Sequence, residues 1–409
     1  MRFNTALLHG DFRGDKKTGA TQTPVYQSSA FEHASAETLE KIFNNKAPGF
    51  SYSRIGNPTV DAFERRMTAL EGGIASVSCA SGMAAITNAF TNILRSGDEI
   101  ICSASLYGGS IDLFRDLENF GIKTHYVENN NIEQFEAATN DNTRLYFAET
   151  IGNPRLDVTD IKLLSEAAHN AGVPLIIDNT VATAYLIKPI EYGADIVVNS
   201  TSKYVNGNSN SISGVITDSG NFKWDSVKYP GMKEYAKFGP YAYTAKLRNG
   251  IYRNTGACLS PQNAFYNILG IETLGLRMER ITDNALKLAE YLDTNYSFLN
   301  VNYPGLKSSE FHAIADKELN NGYGGIITIR TGSKENAFKF INALKLPLNV
   351  SNIGDTKTLV IHPGSTISAH STEEEKKIAG VFDDLVRISV GIEDIEDLIE
   401  DFTQAVEFI

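Results

Sequence analysis

The 409-residue chain has few of the residues that bind metals or form disulfides. Its three cysteines, Cys79, Cys102 and Cys258, are far apart in the sequence and lack paired metal-ligand spacing. The seven histidines are not clustered as metal ligands either. Because three scattered cysteines do not form a disulfide framework, we expect a reducing compartment and no metal site.

Long apolar runs and an excess of positive charge are also absent. No uninterrupted apolar run could cross a bilayer, and the first residues lack the apolar core of a secretion signal. The 37 Lys and Arg against 49 Asp and Glu give a formal charge of -12, which disfavours a nucleic-acid surface but allows a local anion-binding pocket. We expect a soluble, cytoplasmic protein with neither a nucleic-acid nor a membrane partner.

Several catalytic motifs are missing as well. The sequence contains no Walker-type phosphate loop and no Ser/His/Asp nucleophile elbow. The stretch SGMAAI, which opens the first predicted crossover, does not supply the Gly-rich fingerprint of a nicotinamide site.

What the sequence does contain is an alternation of short apolar strands and helices. The cycle begins with VDAFERRMTALEGG, IASVSCA and MAAITNAFTNIL and continues through PLIIDNT and DIVVNSTSK. It is typical of an α/β fold with a large, mostly parallel sheet that is covered on both faces. We predict an N-terminal arm over residues 1–60, a large domain over 61–256 and a smaller C-terminal α+β domain over 257–409, with an inserted loop near 221–250.

The residues that end the predicted strands form a chemically coherent set, because ligands of open α/β sheets bind at the carboxyl ends of the strands. Lys203 ends one strand, and a lysine lifted out of water has a lowered pKa and can attack an aldehyde. Asp178 ends another, where a buried carboxylate requires a cation such as a protonated pyridine nitrogen. The alternatives are an ordinary surface lysine and a helix-capping aspartate.

A phosphate-binding corner is predicted from the small residues at the same strand ends. Ser81 and Gly82 precede a helix, whose first N–H groups and dipole favour an anion, and Ser200 and Ser202 can add hydroxyl groups. Tyr107, in SLYGG, could stack on a planar heterocycle. The alternatives are a tight strand-to-helix turn and a core aromatic residue.

Two arginines stand out from their surroundings. Arg54, in the arm sequence SYSRIGNPT, carries a guanidinium fork that suits phosphate. Arg387 interrupts the apolar strand-like run VRISVGI, where its charge needs a partner such as an amino-acid carboxylate. Either arginine could instead belong to a structural ion pair.

Taken together, SYSRIGNPT, SGMAA, LYGG, ETIGNP, DNT, Ser-x-Ser-Lys and RISVGIED resemble, in order and spacing, the Cys/Met-metabolism family of fold-type-I pyridoxal-phosphate enzymes. The resemblance implies that Lys203 carries pyridoxal 5'-phosphate as a Schiff base and that Asp178 pairs with the pyridine nitrogen. It makes Tyr107 and Tyr52 catalytic, Tyr107 by stacking on the ring and Tyr52 as an acid or base. It places the other cofactor contacts at Arg54, Ser81, Gly82, Met83, Ser200 and Ser202.

The resemblance also concerns the substrate and the assembly. It implies that Arg387 binds the substrate carboxylate, helped by Asn153 and the loop at Ser351. Tyr52 and Arg54 would reach the site from a neighbouring subunit, which implies an obligate dimer and, for the family, a homotetramer built from two such dimers.

Within the family the chain is most similar to the O-acetylhomoserine sulfhydrylase branch of methionine biosynthesis. This similarity implies a transferase that performs γ-replacement on O-acetyl-L-homoserine, with sulfide or methanethiol as acceptor and homocysteine or methionine as product. The alternatives are a methionine γ-lyase, a cystathionine γ-synthase and, more remotely, a non-catalytic cofactor-binding protein. Asn206, Asn208 and Ser209 stand where that branch has a glycine-rich run with a histidine, and Met83 is commoner in the lyase and synthase branches. These departures bear on substrate preference.

Overall fold

The computed structural model describes residues 1–10, 15, 18–369 and 371–409, and within these ranges the chain forms two sheets. The larger sheet has seven strands in the spatial order β1-β7-β6-β5-β4-β2-β3. Their bounds are β1 Ala75–Cys79, β2 Glu99–Ser103, β3 Lys123–Val127, β4 Thr143–Glu149, β5 Leu175–Asp178, β6 Ile196–Asn199 and β7 Gly214–Asp218. Strand β7 is antiparallel to both of its neighbours, and the remaining pairs are parallel.

Helices follow most of these strands and cover the two faces of the large sheet. Apart from the partly exposed edge strand β3, these strands are almost entirely buried, as expected for a parallel sheet packed on both sides. The helices of this region and of the arm are α1 Phe3–His9, α2 Ala36–Phe43, α3 Pro58–Glu71, α4 Gly82–Thr91, α5 Gly108–Glu118, α6 Ile132–Ala138, α7 Ile161–Asn170, α8 Thr183–Leu186, α9 Ala242–Asn249 and α10 Ile251–Thr255. A short 3-10 helix covers Pro189–Tyr192, and a longer 3-10 segment with a kink at Gly239 covers Pro230–Tyr241.

The smaller sheet has four strands in the order β8-β11-β10-β9. Its strands are β8 Ile326–Arg330, β9 Leu348–Asn349, β10 Leu359–Ile361 and β11 Leu385–Ser389. The helices of this part are α11 Pro261–Glu272, α12 Leu274–Asn295, α13 His312–Glu318, α14 Lys334–Ala343, α15 Glu373–Ile378 and α16 Ile395–Val406, with 3-10 turns at Ser297–Leu299 and Pro363–Ser365.

Helix α12 packs against the cores of both sheets. Its first half contributes Leu274 and Met278 to the core that includes β4 and β5, and its second half contributes Leu288 and Leu292 to the core of the small sheet. One long amphipathic helix therefore connects the core of the large sheet with the core of the small sheet. The domain boundary at residue 257 stays a prediction. No helix of the described part of the chain is both long and apolar enough to cross a membrane.

Two segments contain more regular structure than their composition indicates. The arm includes α1 and α2, although its sequence shows little sustained periodicity. The segment near 221–250, predicted as an inserted loop, forms the longer 3-10 segment and the whole of α9. That prediction was wrong because Trp224 stacks on the buried Tyr243, at 5.4 Å between ring centroids, so aromatic packing orders the segment.

Candidate active site

A cavity of about 420 Å³ lies at the carboxyl ends of the parallel strands, between the two sheets. It gathers 11 of the 13 residues that the sequence indicates for the site. These are Ser81, Gly82, Met83, Tyr107, Asn153, Asp178, Ser200, Ser202, Lys203, Ser351 and Arg387. Those of the large sheet come from widely separated parts of the chain, because consecutive crossovers return each strand to the same edge of that sheet. Ser351 and Arg387 reach the cavity from the region of the small sheet.

Lys203 lies in the turn that follows β6, where its N–H donates to the carbonyl of Ser200 at 3.2 Å. Its Nζ donates to Oδ1 of Asn352 at 2.5 Å. Burial, with a further contribution from the charge of Arg387, lowers the pKa of Lys203 to about 8. An amine with this pKa is uncharged in an appreciable fraction of molecules near neutral pH, so it can act as a nucleophile or a base.

Asp178 ends β5 and faces the cavity beside a second carboxyl group, that of Glu149 at the end of β4. The two residues are register partners in adjacent parallel strands. Burial raises the pKa of Asp178 to about 6, although hydrogen bonds from Thr180 oppose the shift. Among the residues that the structure describes, no lysine or arginine pairs with Asp178. This carboxylate therefore lacks the cation that its burial requires.

Glu149 was missed by the sequence reasoning, although it ends its strand just as Asp178 does. Its Oε1 accepts the backbone N–H of Tyr107 at 2.6 Å. Burial, together with the charge of Asp178, raises the pKa of Glu149 well above its ordinary value. The motif ETIGNP contained this residue, but only the β4–β5 pairing brings it next to Asp178.

The start of α4 meets the turn after β6 at close range. A Cβ atom on Gly82 would lie 2.5 Å from Cβ of Ser200, so only glycine fits there. Ser81 caps the helix, and its Oγ accepts the N–H of Ala84 at 3.0 Å. The first N–H groups of a helix have no intrahelical partners, so this corner offers them to an anion together with nearby serine hydroxyl groups.

Arg387 lies in β11 of the small sheet and is only 3% exposed. Its two terminal nitrogens donate to Oδ1 of Asn153 and to the carbonyl of Asn352, each at 3.1 Å. Both acceptors are neutral, and burial lowers the pKa of Arg387 to about 10. Its positive charge is therefore available to an anionic group that enters the cavity.

Tyr52 and Arg54 do not line this cavity. They lie in the arm, where the guanidinium of Arg54 is 5.4 Å from the ring centroid of Tyr52. Arg54 donates to the carbonyl of Arg253 at 2.7 Å, and Tyr52 is 43% exposed. Within a single chain the arm thus presents both side chains at the surface, outside the lining of the cavity that contains Lys203.

Asn352 and Ser209 are further residues of the cavity. Sequence reasoning assigned the loop at Ser351 but not its neighbour Asn352, which contacts both Lys203 and Arg387. Ser209 was noticed only as a departure from a glycine-rich pattern. Its hydroxyl contacts Asn352 and Asp355.

The pyridoxal phosphate implied by the sequence resemblance fits these residues. Lys203 supplies an amine of lowered pKa, and Asp178 supplies a carboxylate that no lysine or arginine of the described ranges pairs with. The contact between Gly82 and Ser200 forms a cradle that a Cβ atom would fill. The half-exposed Tyr107 supplies an aromatic face at the mouth of the same cavity.

Comparison with known proteins points in the same direction. The sequence profile of the Cys/Met metabolism PLP-dependent enzymes matches residues 4–407. An O-acetyl-L-homoserine sulfhydrylase of Corynebacterium glutamicum is 43% identical over 98% of this chain and 95% of its own. The homocysteine synthase of Schizosaccharomyces pombe is 40% identical over 99% of this chain and 98% of its own.

A solved structure is similar over the whole chain. The crystal structure of an O-acetylhomoserine (thiol)-lyase from Campylobacter jejuni has a TM-score of 0.96 and 32% sequence identity, and the match covers 100% of both chains. That structure carries N'-pyridoxyl-lysine-5'-monophosphate.

Proposed function

The chain belongs to the Cys/Met metabolism family of PLP-dependent enzymes, has their fold-type-I architecture, and on this premise we propose that it converts O-acetyl-L-homoserine and sulfide into homocysteine and acetate. With methanethiol as acceptor the product is methionine. In this γ-replacement a C–O bond to acetate breaks and a C–S bond forms. The observation that carries the proposal is one cavity in which Lys203, Asp178 and the buried Arg387 converge, in a chain whose similar relatives include a sulfhydrylase and a homocysteine synthase.

Substrate binding is assigned first to Arg387. Its buried guanidinium contacts only neutral oxygens among the described residues, so an amino-acid carboxylate supplies the missing anion. Asn153 fixes one terminal nitrogen of the fork, and the loop at Ser351 closes the same side. This arrangement orients the α-carbon of the substrate toward Lys203.

Lys203 holds and moves the protons. When bound, pyridoxal phosphate supplies an electron-accepting ring that stabilises negative charge on the carbons of an attached amino acid. Lys203 Nζ removes the α-proton and then transfers a β-proton. Loss of the β-proton prepares the γ-carbon to lose acetate. Its pKa of about 8 suits a base that must also return a proton.

The remaining assignments concern the cofactor contacts and the assembly. Asp178 would hold the proton on the pyridine nitrogen of the cofactor, and Tyr107 would contact its ring. The phosphate would be held by Ser81, Gly82, Met83, Ser200 and Ser202. Tyr52 and Arg54 complete the site from a neighbouring subunit, Tyr52 as an acid or base and Arg54 at the phosphate. The enzyme is then a cytoplasmic homotetramer in which pairs of subunits share sites.

The test is acetate release from O-acetyl-L-homoserine by the purified holoenzyme, with and without sulfide. We expect acetate release that depends on sulfide and matches the homocysteine formed, and no turnover by the Lys203→Ala control. Release of α-keto acid and ammonia regardless of sulfide contradicts the proposal and assigns a γ-lyase activity instead. Turnover only with cysteine as acceptor assigns a cystathionine γ-synthase.

A further inference from the structure

Ser209 adopts an unusual backbone conformation at the edge of the cavity. Its φ of 52° lies in the left-handed region, which is unfavourable for a residue with a Cβ atom. Ser209 is exposed, so core packing does not account for this conformation. Strained residues of this kind persist where their side chains have a function, and the hydroxyl of Ser209 makes two specific contacts.

These contacts connect Ser209 to Lys203 through one other side chain. The Nδ2 atom of Asn352 donates to Oγ of Ser209 at 2.9 Å, and Oγ of Ser209 donates to Oδ2 of Asp355. On its other side, Oδ1 of Asn352 accepts from Nζ of Lys203 at 2.5 Å. The result is a continuous chain of hydrogen bonds from Asp355 to the amine.

The direction of this chain is fixed by chemistry. Asp355 is ionised, because hydrogen bonds from Ser209 and from the backbone N–H of Lys357 outweigh the effect of burial and lower its pKa. An ionised carboxylate can only accept hydrogen bonds, so the hydroxyl of Ser209 must donate its hydrogen to Asp355. Toward Asn352 the same hydroxyl can then act only as an acceptor. Asn352 therefore presents its NH₂ group to Ser209 and its carbonyl oxygen to Lys203.

We propose that Ser209, backed by Asp355, is a positioning residue that orients the Asn352 amide so that its carbonyl oxygen holds the free amine of Lys203. The inference rests on the proposed role of Lys203 as a base. With a carbonyl acceptor, one N–H of Lys203 is held and its lone pair stays available for the substrate proton. Without Ser209 the amide can rotate and present NH₂, which ties up that lone pair.

The hydrogen bond between Lys203 and the carbonyl oxygen of Asn352 concerns only the free amine and not the resting enzyme. Once Lys203 is bonded to the cofactor, its nitrogen no longer donates an N–H to Asn352. Loss of Ser209 should therefore slow proton transfer without changing the visible absorbance of the lysine-bound cofactor or its pH titration. A change limited to proton transfer distinguishes positioning from general damage to the fold.

Two substitutions separate the hydroxyl from the backbone conformation. Ser209→Ala removes the hydroxyl and keeps the strain, whereas Ser209→Gly removes both. We expect both holoenzymes to exchange the α-proton of L-norvaline with deuterated water about five- to tenfold more slowly than the wild type, with KM changed less than about twofold. We also expect Ser209→Gly to melt about 1–2 °C above Ser209→Ala.

Asn208→Ala provides the matched control, because its side chain contacts only the carbonyl of Asn206, at 3.2 Å, among the described residues. It should exchange the α-proton at the wild-type rate. Because Ser209 acts through Asn352, adding Ser209→Ala to Asn352→Ala should cause no further loss.

Three results would overturn the inference: wild-type exchange in both Ser209 variants, additive losses in the double variant, or an altered absorbance titration in Ser209→Ala. Absence of exchange in the wild type would overturn it as well, because Lys203 would then not act as the base. L-Norvaline has no leaving group and the assay contains no sulfide. Failure of the sulfhydrylase proposal therefore leaves the exchange result interpretable.

Discussion

The strand-end cavity and the N-terminal arm differ in how much of a site one chain can build. At the cavity, β4, β5 and β6 bring Glu149, Asp178 and Lys203 to one edge of the sheet, where packing holds them in place. In the arm, Tyr52 and Arg54 are equally distinctive in sequence but lie at the surface, and neither lines the cavity.

The difference follows from topology. Parallel strands joined by crossovers end at the same edge, so residues at strand ends meet whatever their separation along the chain. The arm has no comparable constraint, and its position depends on the surface against which it packs. The proposed site is therefore nearly complete in one chain but lacks the part assigned to a second copy.

The largest expected effect concerns the cavity. Lys203→Ala should lower kcat for O-acetyl-L-homoserine by at least about a thousandfold, because the residue proposed as both covalent anchor and base is removed. It should also abolish the visible absorbance of lysine-bound cofactor. The measurement is acetate release, with the absorbance spectrum recorded on the same sample. Near wild-type turnover would contradict the assignment of Lys203.

A smaller effect is expected in the arm. Arg54→Ala should lower activity about tenfold at limiting cofactor, because the proposed charge-assisted contact to the phosphate would be lost. If the arm serves a neighbouring subunit, equal mixing of Arg54→Ala and Lys203→Ala chains creates mixed dimers with one intact site. Random reassociation should then restore about a quarter of wild-type activity, measured after dissociation and reassociation.

The matched control for this mixing is a double Lys203→Ala/Arg54→Ala chain combined with the Arg54→Ala chain. This mixture should show no gain, because no chain then donates an intact arm. Equal activity in the two mixtures would mean that Arg54 acts within its own chain. The contrast between arm and cavity would then disappear.

The smallest expected effect is on stability and concerns the carboxylate of Asp178, which has no cationic partner in the part of the chain that the structure describes. The pKa of Asp178 is about 6, raised by burial from its ordinary value of 3.8. Between these values the folded cofactor-free protein holds a proton that the unfolded chain has released, so stability falls as pH rises through this window. Asp178→Asn should therefore raise the melting temperature of the cofactor-free protein by about 3 °C at pH 8 and by almost nothing below pH 4.

Pyridoxal phosphate should reverse this advantage, because on the proposed assignment its protonated nitrogen would supply a cation to Asp178. We expect the rise in melting temperature on adding cofactor to be smaller for Asp178→Asn than for the wild type. The exposed Asp116→Asn serves as the control and should leave both melting temperatures unchanged. A cofactor-free Asp178→Asn that is less stable at pH 8 would mean that the carboxylate has a partner.

Much of the fold was predictable because strand and helix patterns are local. The apolar runs PLIIDNT and DIVVNSTSK predicted β5 and β6, and the glycine after MTALE marked the end of α3. The segment near 221–250 was not predictable in the same way. Its aromatic residues become ordered only by packing on one another, as Trp224 does on Tyr243.

By itself, the sequence determined the α/β class, the lysine and aspartate at the strand ends and the resemblance to a pyridoxal-phosphate family. These features depend on residue type, on short-range periodicity and on the order of motifs along the chain. Only the tertiary structure decided that Glu149 lies beside Asp178 and that Asn352 contacts both Lys203 and Arg387. Such contacts join residues far apart in sequence, and hydrogen bonds of this kind depend on distances and directions that no local pattern specifies.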